Sequence, residues 1–165
     1  MIMNSAKLRN PCLWLCLVGI LLAFWQISAT RWVVVYANGE RVAMTPAAQG
    51  VPISLRFIHS VQKTPVIENL AVDSDVQGLV LHSTQYQSFG VGLPFLATEG
   101  EFSMVGDTYV LNHMERRVPH LVLRTGVGTQ LTLYLGYARR EYRLYERYAP
   151  GTPIDIRIGR LKDVI

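Results

Sequence analysis

The residues best equipped for chemistry fall in two short stretches, His59-Ser60-Val61-Gln62-Lys63-Thr64-Pro65-Val66-Ile67-Glu68 and Tyr86-Gln87-Ser88-Phe89-Gly90-Val91-Gly92-Leu93-Pro94. Counting by twos, Val51, Ile53, Leu55 and Phe57 share one strand face and His59 is next on it. After Pro65 the alternation resumes as Val66, Glu68, Leu70 and Val72, so a carboxylate interrupts a second apolar face. A hairpin over Lys63-Thr64 would set His59 across from Glu68. An imidazole and a carboxylate on the buried side would satisfy one another, as a structural pair or as a site. Gly90 and Gly92 permit a close-approach backbone that Pro94 closes, and its exposed N–H groups would receive a small anion. The plain alternative is a rigid turn between strands.

Other chemistries find little support. There is no nucleophile elbow, phosphate loop or dinucleotide glycine fingerprint. The histidines His59, His82, His113 and His120 have no close second histidine, so no metal site is expected. A hydrolase using His59 and Glu68 as acid and base lacks a nucleophile, and the expectation is a non-enzymatic protein without a cofactor. Arg139, Arg140, Arg143 and Arg147 interleave with Tyr137, Tyr142, Tyr145 and Tyr148 as an anion-gripping strip would, or as the solvated face of a strand does.

The elements that must position these residues are strands. Trp32–Tyr36 and Glu40–Met44 flank Asn38-Gly39, a hairpin-turn dipeptide. Val51–Ser60 and Pro65–Asp73 make a second hairpin, Gly78–Ser88 follows, and Glu101–Val105 with Thr108–His113 flank Gly106-Asp107. Val118–Thr125 and Thr129–Gly136 across Gly126-Val127-Gly128 give the clearest hairpin pattern. Tyr142–Tyr148 is expected as a further strand. After Pro150-Gly151, Ile154, Ile156 and Ile158 alternate with polar residues. About ten short strands with evenly spaced turns predict an all-β antiparallel sandwich or barrel in one domain, residues 31–165.

Ahead of it, no charged residue lies between Arg9 and Arg31. As a helix, residues 11–30 would be about 30 Å long, the thickness of a bilayer's hydrocarbon core. Lys7 and Arg9 in the segment 1–10 hold the N-terminus in the cytoplasm and send the remainder to the periplasm or cell exterior. An uncleaved anchor in the cytoplasmic membrane fits better than a cleaved signal, because the apolar run is long and bulky Trp25, Gln26 and Ile27 precede the candidate cut after Ala29. A lipoprotein is disfavoured, since Leu13-Trp14-Leu15 precedes Cys16. Cys12 and Cys16 both lie in the span, which excludes a disulfide scaffold beyond it. With Lys7 and Arg9 set aside, acidic and basic residues nearly balance, which argues against nucleic acid as a partner.

The His59-Ser60-Val61 segment with Pro65-Val66 and Glu68, followed by Ser88-Phe89-Gly90-Val91-Gly92-Leu93-Pro94, resembles the bacterial family known as domain of unknown function 1850. The closing pattern from Gly151 to Ile156 is compatible with it. The resemblance covers His59 to Pro94 and implies a small envelope protein with an N-terminal membrane segment. It also implies an association with permeases of the tripartite ATP-independent periplasmic (TRAP) transporters that use the TAXI class of solute receptor. His59, Ser60, Pro65, Glu68, Ser88, Phe89, Gly90, Gly92 and Pro94 are the positions matching the pattern. The expected role is therefore an accessory that touches a permease or its receptor, with a small-anion or carboxylate-binding module as the alternative.

Overall fold

The computed structural model describes residues 11–88, 97–160 and 163. Pro11–Ala29 form α1, followed by β1 (Arg31–Ala37), β2 (Glu40–Pro46), β3 (Pro52–Ile58), β4 (Pro65–Val72) and β5 (Leu79–Tyr86). A 3₁₀ turn, Ala97–Glu99, leads into β6 (Glu101–Val105), β7 (Thr108–Asn112), β8 (Arg116–Val118), β9 (Leu121–Arg124) and β10 (Thr132–Leu135). The chain closes with β11 (Arg140–Arg143), α2 (Leu144–Arg147) and β12 (Pro153–Arg160).

The strands form two antiparallel sheets, as the alternation predicts. The smaller has the order β2-β1-β12-β9, and the larger β11-β10-β3-β4-β5-β7-β6 with β8 also on β5. Their facing sides meet in one core. Val33, Val35, Ile154 and Ile156 from the first sheet pack with Ile53, Leu55, Leu70, Leu81, Leu133 and Leu135 from the second. These are alternate residues of each strand, and burying one face of each sheet stabilises the pair by about 25 cal/mol for each Å² of apolar surface. On the outer face the larger sheet carries a polar ladder. Ser54 Oγ donates to Asn69 Oδ1 at 2.8 Å, and Asn69 Nδ2 donates to Ser83 Oγ at 3.0 Å.

Three expectations are corrected. The clearest hairpin pattern, across Gly126–Gly128, is not a hairpin: β9 pairs with β12 in one sheet, whereas β10 pairs with β3 and β11 in the other. The connection crosses between layers because Leu121 and Leu123 find the Ile154–Ile156 edge while Leu133 and Leu135 find Leu55 and Ile53. The strand expected over Tyr142–Tyr148 stops at Arg143 and turns into α2, which tucks Leu144 into the core. The strand expected over Val118–Thr125 is split: Val118 ends the short strand β8 on the larger sheet, and Leu121 begins β9 in the smaller one.

Residues 12–29 of the apolar helix α1 are exposed, and Cys12–Ala29 is long and apolar enough to cross a membrane. Thr30 alone separates it from β1, and its amide and hydroxyl both donate to Gln26 O, at 3.0 and 2.8 Å.

Candidate functional site

The register of the larger sheet decides which candidate residues meet. Leu55 of β3 faces Glu68, and Ile58 faces Pro65. His59 lies one step beyond, its N–H donating to Thr64 O at 2.8 Å. The expected pairing of His59 across from Glu68 is therefore overturned. Glu68 sits opposite a residue four positions back along β3, about 13 Å at the usual strand rise.

His59 is buried and is used locally. Its Nδ1 accepts the amides of Val61 at 3.3 Å and Gln62 at 3.2 Å, and its carbonyl accepts the Lys63 amide at 2.9 Å. The ring closes its own loop as an aspartate or asparagine would in an Asx turn. Lys63 completes the reversal at φ 57. Ser60 is exposed on that loop, and Pro65 opens β4, where a strand tolerates a residue without an N–H. Ser88, just past β5, is half-buried. Phe89, Gly90, Gly92 and Pro94 lie outside the described residues.

Glu68 does continue the core-facing side, as parity predicts. One row crosses the sheet as Leu133, Leu55, Glu68, Thr84, Leu111 and Phe102. Two polar side chains thus interrupt an apolar row. The row toward the start of β3 runs Leu135, Ile53, Leu70, Leu81 and Arg116, so Arg116 reaches the same face from the edge strand β8. The row on the other side carries three aromatic rings: it runs Phe57, Val66, Tyr86 and Tyr109. Tyr109 stacks on Phe102 with ring centres 5.8 Å apart.

Burial pushes the Glu68 carboxyl above its ordinary range, and the nearby Arg116 guanidinium pulls partly against that. Thr84 is fully buried, and its hydroxyl has no hydrogen-bond partner among the described residues. Such a group costs about 1–3 kcal/mol relative to a satisfied one. Arg116 also lines an open hollow of about 490 Å³ with Thr98, Glu99, Gly100, His113 and Glu115. Gly100 is required there, since a Cβ would run into the backbone oxygen of Asn112.

Arg116 and Thr84 escape sequence reasoning for a physical reason. The β4–β5 register shifts between Asn69 and Leu70, so Ser83 faces Asn69 while Leu81 faces Leu70, and His82 is the extra residue of a bulge. Counting by twos from Leu79 and Leu81 would put Ser83 inside; the bulge puts Thr84 there instead. The remaining histidines stand apart: His113 Nδ1 lies 3.0 Å from Glu101, and His120 Nε2 lies 2.5 Å from Asp155. Among the described residues no three His, Cys, Asp or Glu side chains converge as metal ligands would. Within the arginine and tyrosine strip, Arg143 is held by Glu141 at 2.7 Å and Glu146 at 3.3 Å, and Arg139 lies over the Tyr134 ring. Neither guanidinium stands unengaged.

The profile of the family described as Domain of unknown function (DUF1850) matches residues 53–144. That stretch holds every strand of the larger sheet together with β9. No curated protein and no solved structure matches the chain.

Proposed function

The chain belongs to the DUF1850 family, whose profile spans more than half of it, and from that premise we propose a non-enzymatic accessory of a solute transporter, anchored by α1 in the cytoplasmic membrane. The observation that carries this is the joint at Thr30. An exposed apolar helix runs within one residue into a central strand of the sandwich, so the domain is held against whatever surface the helix enters. Lys7 and Arg9 orient the domain outward under the positive-inside rule. The transporter link draws on the TAXI-type TRAP association that the His59–Pro94 resemblance implies, with the permease or its receptor as partner.

A reporter fused after Ile165 is expected to be active only outside the cytoplasm, and the full-length chain to stay with membranes after carbonate washing. Purified in mild detergent from its own host, it should carry a multi-span permease. A cytoplasmic reporter signal, or a soluble product starting near Thr30, would overturn the anchor. Purification free of any permease would overturn the accessory role.

A second reading, a small-anion or carboxylate-binding module, is favoured by the Glu68 and Thr84 row with Arg116 beside it. The exposed Arg116 guanidinium fork, and a half-buried carboxyl that burial biases toward its protonated form, can both donate to a ligand carboxylate. Acetate titration should then raise the melting temperature of the wild type and leave Arg116→Gln unmoved. Equal response of both proteins would dismiss this module.

A further inference from the structure

The joint at Thr30 also determines which end of the sandwich faces the bilayer, and that end is basic. Arg31 opens β1 opposite Arg160, the last residue of β12. Two residues past Ala29, it lies at most about 7 Å along the chain from the helix, inside the Debye length of about 8 Å at physiological salt. The connection 73–78 of the larger sheet meets it there, where Arg31 Nη1 donates to Val76 O at 2.9 Å. Arg117 of β8 stands over the same connection, 3.8 Å from Asp75. The turn between β10 and β11 arrives at this end too: Gly136 N donates to Pro52 O at 2.9 Å. Gly136, at φ 72, turns Tyr137 outward so that its side chain is 74% exposed, and exposed Arg139 and Arg140 follow it.

The acidic residues at these turns are largely spoken for. Asp73 accepts the Gln77 amide at 2.8 Å inside its own loop, and Asp75 faces Arg117. An exposed tyrosine flanked by arginines is the side-chain set that suits a headgroup layer, with an amphipathic ring for the interface and guanidinium forks for phosphate oxygens. We propose that this end of the domain, with Tyr137, Arg139 and Arg140 foremost, is a docking surface for the anionic phospholipids of the bilayer that α1 enters. The proposal rests on the anchored reading, and goes beyond it by giving the domain a preferred face toward the membrane and a lipid preference.

The test uses the full chain carrying Cys12→Ser and Cys16→Ser, with Tyr137→Cys or Asn38→Cys as the probe, reconstituted in vesicles. Position 38 sits at the opposite end, in the turn between β1 and β2. A membrane-impermeant maleimide should label the Tyr137→Cys thiol at least about fivefold more slowly in vesicles containing phosphatidylglycerol than in phosphatidylcholine alone, the scale expected when basic side chains meet an anionic surface. High salt, or Arg139→Glu with Arg140→Glu, should restore the fast rate, and the Asn38→Cys rate should not change. Equal rates at position 137 in the two lipids would overturn the docking surface while leaving the anchor intact. Slowing by free phosphate in phosphatidylcholine vesicles would also overturn it, by revealing a soluble-anion site. Loss of the chain on carbonate washing would overturn the anchor, and the docking surface with it.

Discussion

Thr84 and Glu68 are two residues whose placement costs the fold. Replacing Thr84 with valine keeps its shape and removes the unpartnered hydroxyl, so Thr84→Val is expected to raise stability by about 1 kcal/mol in urea unfolding; a loss of stability would show that the hydroxyl is satisfied in solution. Glu68 adds a pH dependence with a definite sign. Burial raises its carboxyl above the ordinary value of 4.5 in the folded chain, so the folded state holds the proton more tightly than the unfolded one. Its contribution is most favourable below that ordinary value, and declines as pH rises from there through the raised one. Glu68→Gln should therefore gain on the wild type as pH climbs from acid to neutral, and Arg116→Gln should steepen the wild-type decline. Unfolding curves whose difference stays flat across that range would refute both. His59→Ala, by contrast, frees two loop amides and should cost about 1 kcal/mol, while His59→Asn, able to accept the same amides, should cost less.

At the scale of elements, the larger sheet depends on how its edge is divided. β7 and β8 share the β5 edge, and the His82 bulge with Met114 N donating to its carbonyl at 3.0 Å marks the break. Gly100 lets β6 close onto β7 beside that break, where a side chain would strike the Asn112 oxygen and crowd Met114. Gly100→Ala is thus expected to destabilise by about 1–3 kcal/mol, the usual range for overpacking, and to speed amide exchange in Glu101–Val105 before the rest of the sheet. Uniform exchange across both sheets would argue that β6 has no separate weakness. Strand existence was legible where apolar residues alternate, as with Ile53 and Leu55 or Ile154 and Ile156. Partners were less so: the Gly126–Gly128 turn carries hairpin residues, yet the apolar rows on its two sides are claimed by different layers.

For the whole molecule, both cysteines lie in α1, so the β-domain should melt at the same temperature with and without reductant and show a strand-dominated dichroism spectrum; a reductant-dependent shift would mean that the cysteines bridge copies of the chain. The sequence by itself determined the all-β class, the two-sided burial and the single apolar helix, because each depends on a period of two or on an uninterrupted run of apolar residues. It also determined that Glu68 faces inward, since parity carries through an unbroken strand. Tertiary structure alone decided that His59 closes its own loop, that Thr84 and Arg116 are the residues near Glu68, and that the arginines gather at the α1 end. These depend on register, and one bulge residue at His82 turns every side chain after it to the opposite face, a shift that no local pattern in β5 announces.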